Sequence, residues 1–200
     1  MQTDGYKIRD QSRPHFVTFT VVGWIDVFSR KVYKDIVLDS LNYCIDHKGM
    51  VLFGYVIMSN HIHLIMQSED GDLSGLIRDL KKHTTKRILS QIKEGPESRR
   101  EWMLKLFRQA TKTHQRNKEF QLWRYGNHPE EIVTEKFLWS KLDYIHLNPV
   151  RTGIVSKASH YLYSSASNYV NDEGLVDITK ADNPVIDVHG NDKFWKSIIW

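Results

Sequence analysis

Two histidines one residue apart, His61 and His63, sit in the apolar run Asn60-His61-Ile62-His63-Leu64-Ile65-Met66. Side chains alternate faces along a strand, so both imidazoles project together, ~7 Å apart, while Ile62, Leu64 and Met66 turn to the core. Two neutral imidazoles beside an apolar core are placed to hold a divalent cation; the bland use of the same tripeptide is a pair of surface histidines. A second group lies in Lys141-Leu142-Asp143-Tyr144-Ile145-His146-Leu147-Asn148-Pro149-Val150-Arg151. Helical spacing gives Leu138, Leu142 and Ile145 as the buried stripe, with Phe137, Lys141, Tyr144 and Asn148 on the adjacent one. Tyr144 and Asn148 therefore point the same way. A tyrosine so placed ordinarily packs at the edge of a core, and its reactive use is as a phenol nucleophile.

Charge is distributed unevenly. The net charge is +4, yet residues 78–124 hold 14 Lys/Arg against 5 Asp/Glu, net +9, leaving net −5 on the rest. A basic surface facing a polyanion is the functional reading, and a solvated lysine-rich helix face the bland one. Lys81, Lys82, Lys86 and Arg87 fall on the outer side of one helix, and Arg99, Arg100 and Arg124 follow. Trp102, Trp123 and Tyr125 are available to stack on unpaired bases, although core packing is the commoner use of each.

The elements that must position these groups are legible as hydrophobic periods. His15 to Val22 alternates β-branched and aromatic residues like a strand, and Arg30 to Lys48 has helical spacing that stops at Lys48-Gly49. Met50 to Met58 and His61 to Met66 form two strands joined at Ser59-Asn60. A second helix spans about 73–92. Residues 93–118 are the most basic and least regular stretch, Phe120 to Tyr125 supplies a short fourth strand, and a last helix runs over 131–148, stopping before Pro149. The order β-α-β-β-α-β-α is that of an α+β, ferredoxin-like (split β-α-β) antiparallel sheet with an added C-terminal helix. After Gly153 the pattern decays into a Tyr/Ser-rich, helix-like segment over 156–169 and a tail ending in Phe194, Trp195 and Trp200.

The chain resembles the single-tyrosine HUH transposases, and most closely their REP-associated branch. The marks are Tyr55-Val56-Ile57-Met58-Ser59-Asn60-His61-Ile62-His63, Leu122-Trp123-Arg124-Tyr125-Gly126-Asn127-His128, Asp143 to Arg151 (DYIHLNPVR), and Tyr163-Ser164-Ser165-Ala166; the likeness covers 13–169. It implies that residues 1–153 form a nuclease and strand-transferase domain, with 154–200 an appendage packed on it or contacting DNA. It implies His61 and His63 as metal ligands, Tyr144 as nucleophile and Asn148 as third ligand, with Mg²⁺ or Mn²⁺ as the cofactor. The substrate implied is single-stranded DNA bearing a hairpin, and relatives act as a homodimer or a monomer.

The chemistry suits these residues. A phosphodiester is anionic and repels a phenolate, so a cation on a non-bridging oxygen must neutralise charge and fix the line of attack. A free phenol ionises near pH ~10, and a neighbouring cation favours its charged form. Attack leaves a 5′-phosphotyrosine and a free 3′-OH, and the retained bond energy permits rejoining without nucleotide hydrolysis, in keeping with the lack of a G-x-x-x-x-G-K-[ST] loop.

Other classes are harder to sustain. The lone Cys44 excludes a disulfide framework and a cysteine-based zinc site, and implies a reducing, cytoplasmic setting. The polar N-terminus lacks a signal-peptide core, and the apolar run 51–58 is far short of the ~20 residues of a membrane span. A histidine-triad enzyme needs H-x-H-x-H, and the third position is Ile65. The remaining rival is a non-catalytic nucleic-acid-binding module on the same fold, which would want aromatics where this sheet has histidines.

Overall fold

In a computed structural model, residues 7–113 and 119–182 are described; Phe194, Trp195 and Trp200 lie outside them. Strand β1 (His15–Thr20) leads through two short 3-10 turns into α1 (Lys31–Lys48), followed by β2 (Met50–Ile57), β3 (His61–Ser68) and α2 (Leu73–Glu94). Then come α3 (Arg100–Ala110), β4 (Glu130–Glu131), α4 (Glu135–Arg151) and the short α5 (Ala166–Asn171). The sheet order β2-β3-β1-β4 is antiparallel throughout, as the split β-α-β reading requires. Helix α1 stops where Gly49 takes a left-handed conformation (φ 58°), and α2 starts on Asp72, whose carboxylate accepts the Gly75 N–H at 2.9 Å.

The register sorts the sheet into two faces. Phe16, Thr18 and Thr20 stand opposite Ile65, His63 and His61, which in turn neighbour Gly54 and Val56 across β2. Val17, Phe19, Ile62, Leu64 and Tyr55 turn the other way and are fully buried. Helix α2 covers this second face: Trp123, edge-on to Phe19, donates its indole N–H to Thr84 Oγ1 on α2 at 3.1 Å. Helix α1 packs beside α2 and against β2.

Helix α4 lies across the first face, and Gly54 makes that possible. A Cβ at this position would stand 2.7 Å from Leu142 Cδ2 and 3.0 Å from Ile145 Cδ1. A β-bulge shifts the β2–β3 register between Leu52 and Gly54, which brings the glycine under the helix.

Two expected boundaries differ. The segment Phe120 to Tyr125 is not a regular strand: it makes one isolated bridge, Val21 to Trp123, and β4 proper comes later at Glu130–Glu131. Residues 122–132 do run along β1, with bonds from Val22 N–H to Leu122 O, Arg124 N–H to Thr20 O and Ile132 N–H to Pro14 O. Left-handed backbone at Gly126 (φ 79°) and His128 (φ 41°) breaks the ladder between its two ends. Helix α4 begins four residues later than expected, at Glu135, after Thr134, whose hydroxyl caps the Phe137 N–H. It also runs through Pro149 to Arg151. Proline only biases its predecessor against helix, and burial of Leu142, Ile145, His146 and Pro149 on one stripe outweighs that bias.

The basic stretch left irregular by the sequence contains α3. Residues 156–169 are less helical than expected, since Ser164 instead bridges Val56 and the Ser165 N–H bonds Tyr55 O, covering the outer edge of β2.

Candidate active site

Adjacent strands and one helix bring the reactive groups together. The ring centroids of His61 and His63 are 4.7 Å apart, as alternation on β3 dictates. Tyr144, between the two α4 residues that rest on Gly54, stands edge-on to His63 at 5.3 Å and to Phe16 at 5.9 Å. Its ring is 42% exposed, so the phenol is not a core residue. The rotation of α4 is fixed by Lys141, which bonds both carboxylate oxygens of Glu130 at 2.8 Å and lies 4.5 Å above the Phe16 ring. Farther along the same stripe, the Arg151 guanidinium sits 5.9 Å from the Tyr144 ring centre.

Burial favours the neutral form of both histidines. Burial pushes His63 down to about 3, helped by the neighbouring His61 and Lys141, and burial also lowers His61. His63 Nδ1 is 2.8 Å from Thr18 Oγ1, directly opposite on β1, while its Nε2 is buried and has no hydrogen-bond partner. His61 Nδ1 is held by Asn60 Oδ1 at 2.7 Å, an acceptor, so this nitrogen carries the proton and Nε2 keeps its lone pair. A bonded Nδ1 with an open Nε2 is the arrangement that fixes the tautomer of a metal-binding imidazole. An orphaned buried nitrogen is costly unless something binds it, so the pair fits a cation. Among the described residues no three His, Cys, Asp or Glu side chains cluster for a metal, so any further protein donor must be of another type. Asn148, half-buried and four residues beyond Tyr144 on α4, is of such a type. His146, on the same helix, is fully buried with Nε2 on Ser165 Oγ at 2.7 Å.

The expected DNA-contacting residues divide. Lys82, Lys86 and Arg87 are exposed on α2, on the sheet face opposite Tyr144, and Arg124 is exposed near the histidine end of the sheet. Lys81 bonds Asn127 Oδ1 at 2.7 Å and the Arg124 carbonyl at 3.1 Å, and burial lowers it to about 8. Arg99 is committed to Glu97 and Asp26, and Arg100 to the carbonyls of Ile92 and Gly95, where they tie α3 to its surroundings. Trp123 is 5% exposed and stacked on Phe28, which removes its faces from solvent. Trp102 is exposed on α3. Thr18, Asn60, Phe16 and Trp24 escaped sequence reasoning. Cross-strand pairing of β1 with β3 reveals the first and third, and nothing in the sequence flags Trp24.

The profile of the IS200-like transposases matches residues 11–141. The chain belongs to that family. The matched region holds both histidines and ends three residues before Tyr144. A Haemophilus influenzae protein with the provisional name REP-associated tyrosine transposase is 30% identical over 122 residues, 60% of this chain and 61% of that protein. A solved REP-associated tyrosine transposase bound to a REP hairpin has the same fold, with TM-score 0.56, 19% identity, and coverage of 90% of this chain and 93% of that one. None of the described helices is long and apolar enough to cross a membrane.

Proposed function

We propose that this IS200-like transposase is a metal-dependent endonuclease and strand-transferase for single-stranded DNA, with Tyr144 as nucleophile. The observation that carries the proposal is the 5.3 Å approach of the Tyr144 ring to His63, itself 4.7 Å from His61. His61 and His63 would hold Mg²⁺ or Mn²⁺, and Asn148 would offer an amide oxygen. When bound, the cation supplies charge neutralisation at the phosphate and a fixed orientation for it.

Each protein group then has a defined part. Asn60 holds the tautomer of His61, and Thr18 holds the orientation of the His63 ring. Tyr144 Oη attacks phosphorus, forming a Tyr–O–P bond as the P–O3′ bond breaks, and the departing 3′ oxygen takes up a proton. Arg151, with its guanidinium 5.9 Å from the Tyr144 ring centre, adds positive charge beside the phenol. Reversal, with another 3′-OH attacking the phosphotyrosine, joins strands and releases the phenol. An unpaired strand can bend between the histidines and α4, whereas a duplex backbone resists it. The resemblance to a hairpin-bound transposase supports a hairpin with single-stranded flanks as substrate, with Arg124 at the histidine end of the sheet for the flank and Lys82, Lys86 and Arg87 on the far face for DNA beyond it.

The test is cleavage of single-stranded hairpin DNA by Tyr144→Phe. Loss of cleavage with binding retained supports the reading; normal cleavage would move the role to another tyrosine such as Tyr125 or Tyr163.

A further inference from the structure

Four rings form a row: Tyr144, His63, His61 and Trp24, with successive centroid separations of 5.3, 4.7 and 6.3 Å. The first three belong to the site already described. Trp24 is at the far end, edge-on to His61, and is 58% exposed.

Two features of Trp24 run against stability. It has φ 56°, directly after Gly23 at φ 63°, a left-handed region where Gly or Asn would sit without the steric cost a tryptophan bears. It also turns a large apolar ring to water. The turn does not need that ring, for it is anchored by its neighbours: Val21, Val22 and Ile25 are buried, and the Trp24 N–H bonds Val21 O at 3.1 Å. On the outer side, Asn60, which also orients His61, reaches the Trp24 carbonyl at 3.4 Å, and the Arg124 guanidinium stands 5.7 Å from the indole centre. A strained, exposed aromatic bonded to a residue that orients a catalytic-site histidine is where function accounts for what folding does not.

We propose that Trp24 is a stacking platform for one unpaired nucleobase next to the scissile phosphate, with Arg124 pairing to the adjoining phosphate. This rests on the single-stranded DNA reading above and deepens it. Stacking is indifferent to base identity because every base has a π-face, so Trp24 sets the register of the strand across the histidine pair without adding sequence preference. Arg124 is suited to the partner role because its guanidinium can keep its contact with the ring while bonding a phosphate in its own plane. Trp123, in the same expected group, is buried, so the base-stacking role foreseen for it passes to Trp24.

The test uses the full chain carrying Tyr144→Phe and a DNA hairpin with single-stranded thymidine flanks, the hairpin fixing the register. A single abasic site is walked along the flank and equilibrium affinity is measured, so the result does not depend on whether Tyr144 is the nucleophile. One position should lose ~10-fold with tryptophan present. Trp24→Gly should bind the intact strand ~10-fold more weakly and lose nothing more at that position, Trp24→Phe should recover most of the affinity, and Trp24→Gly should melt no lower than its parent because it relieves the left-handed strain. Wild-type affinity in Trp24→Gly, abasic penalties unchanged by that substitution, or a lower melting temperature would each overturn the proposal. So would a change in oligomeric state on gel filtration, which would make the ring a contact between copies.

Discussion

His63 Nδ1 lies 2.8 Å from Thr18 Oγ1, its direct cross-strand neighbour, and this bond decides which nitrogen of the imidazole faces the site. With Nδ1 engaged by the hydroxyl, the ring turns Nε2, the buried atom left without a partner, toward the site. Thr18→Val keeps the shape of the side chain and removes the hydroxyl that holds the ring. The expected outcome is a Mn²⁺ requirement for cleavage raised ~10-fold or more, with the fold retained by circular dichroism. An unchanged Mn²⁺ titration would mean that the ring is held in place by something other than Thr18.

His61→Ala and His63→Ala should each eliminate cleavage, because one remaining imidazole holds the cation too weakly to present a phosphate. Asn148→Ala should act more mildly, raising the metal concentration for half-maximal activity, since water can replace a neutral amide oxygen. Mn²⁺ titrations of the three variants make the comparison. Full activity of His61→Ala at ordinary metal would make the pair decorative, and an unchanged curve for Asn148→Ala would place the third donor elsewhere.

Gly54 determines how closely the tyrosine helix approaches the sheet. Gly54→Ala puts a methyl 2.7 Å from Leu142 Cδ2, so α4 must shift outward and the protein should lose ~1–3 kcal/mol. Cleavage should fall further than DNA binding, since the phenol moves while basic surfaces on α2 stay. Adding Leu142→Ala opens room for the methyl, so the double variant should be more stable than the two single losses combined imply. Additive losses by urea denaturation would show that the contact is not what holds α4.

Much of this was legible in the sequence because it follows from period. Alternation along residues 61–66 put both histidines on one face, and 3.6-residue spacing separated Tyr144 from Leu142 and Ile145. What escaped was set by tertiary contact. Gly54 stands in an apolar run with no periodic signal of its own, and only the packed helix shows what it admits. The fourth strand was misplaced because left-handed backbone at Gly126 and His128 splits it, and Pro149 did not end α4 because its burial outweighs a local preference. Trp24 carries no periodic signal at all, as its position depends on a turn.

The buried histidines should make stability depend on pH. Burial lowers His146 to about 3, below its ordinary value of 6.5. Its folded pKa is depressed, so the unfolded chain binds the extra proton between those values; stability is full above about 6.5 and falls as pH drops toward 3. At pH 5 this histidine alone should cost about 2 kcal/mol relative to pH 7. Urea denaturation of wild type and His146→Gln at the two pH values checks it: the variant should lose visibly less on acidification. An equal loss would assign the acid sensitivity to other groups.

The central claim is that Tyr144 takes the DNA strand. The most direct measurement is mass spectrometry of peptides after incubation with Mn²⁺ and a single-stranded hairpin DNA, followed by nuclease and protease digestion. The predicted result is a phosphonucleotide adduct on the peptide containing Tyr144, on its phenol, with a matching free 3′-OH on the released strand. An adduct on Tyr125 or Tyr163 instead, or cleavage that proceeds with no protein-bound nucleotide, would contradict it.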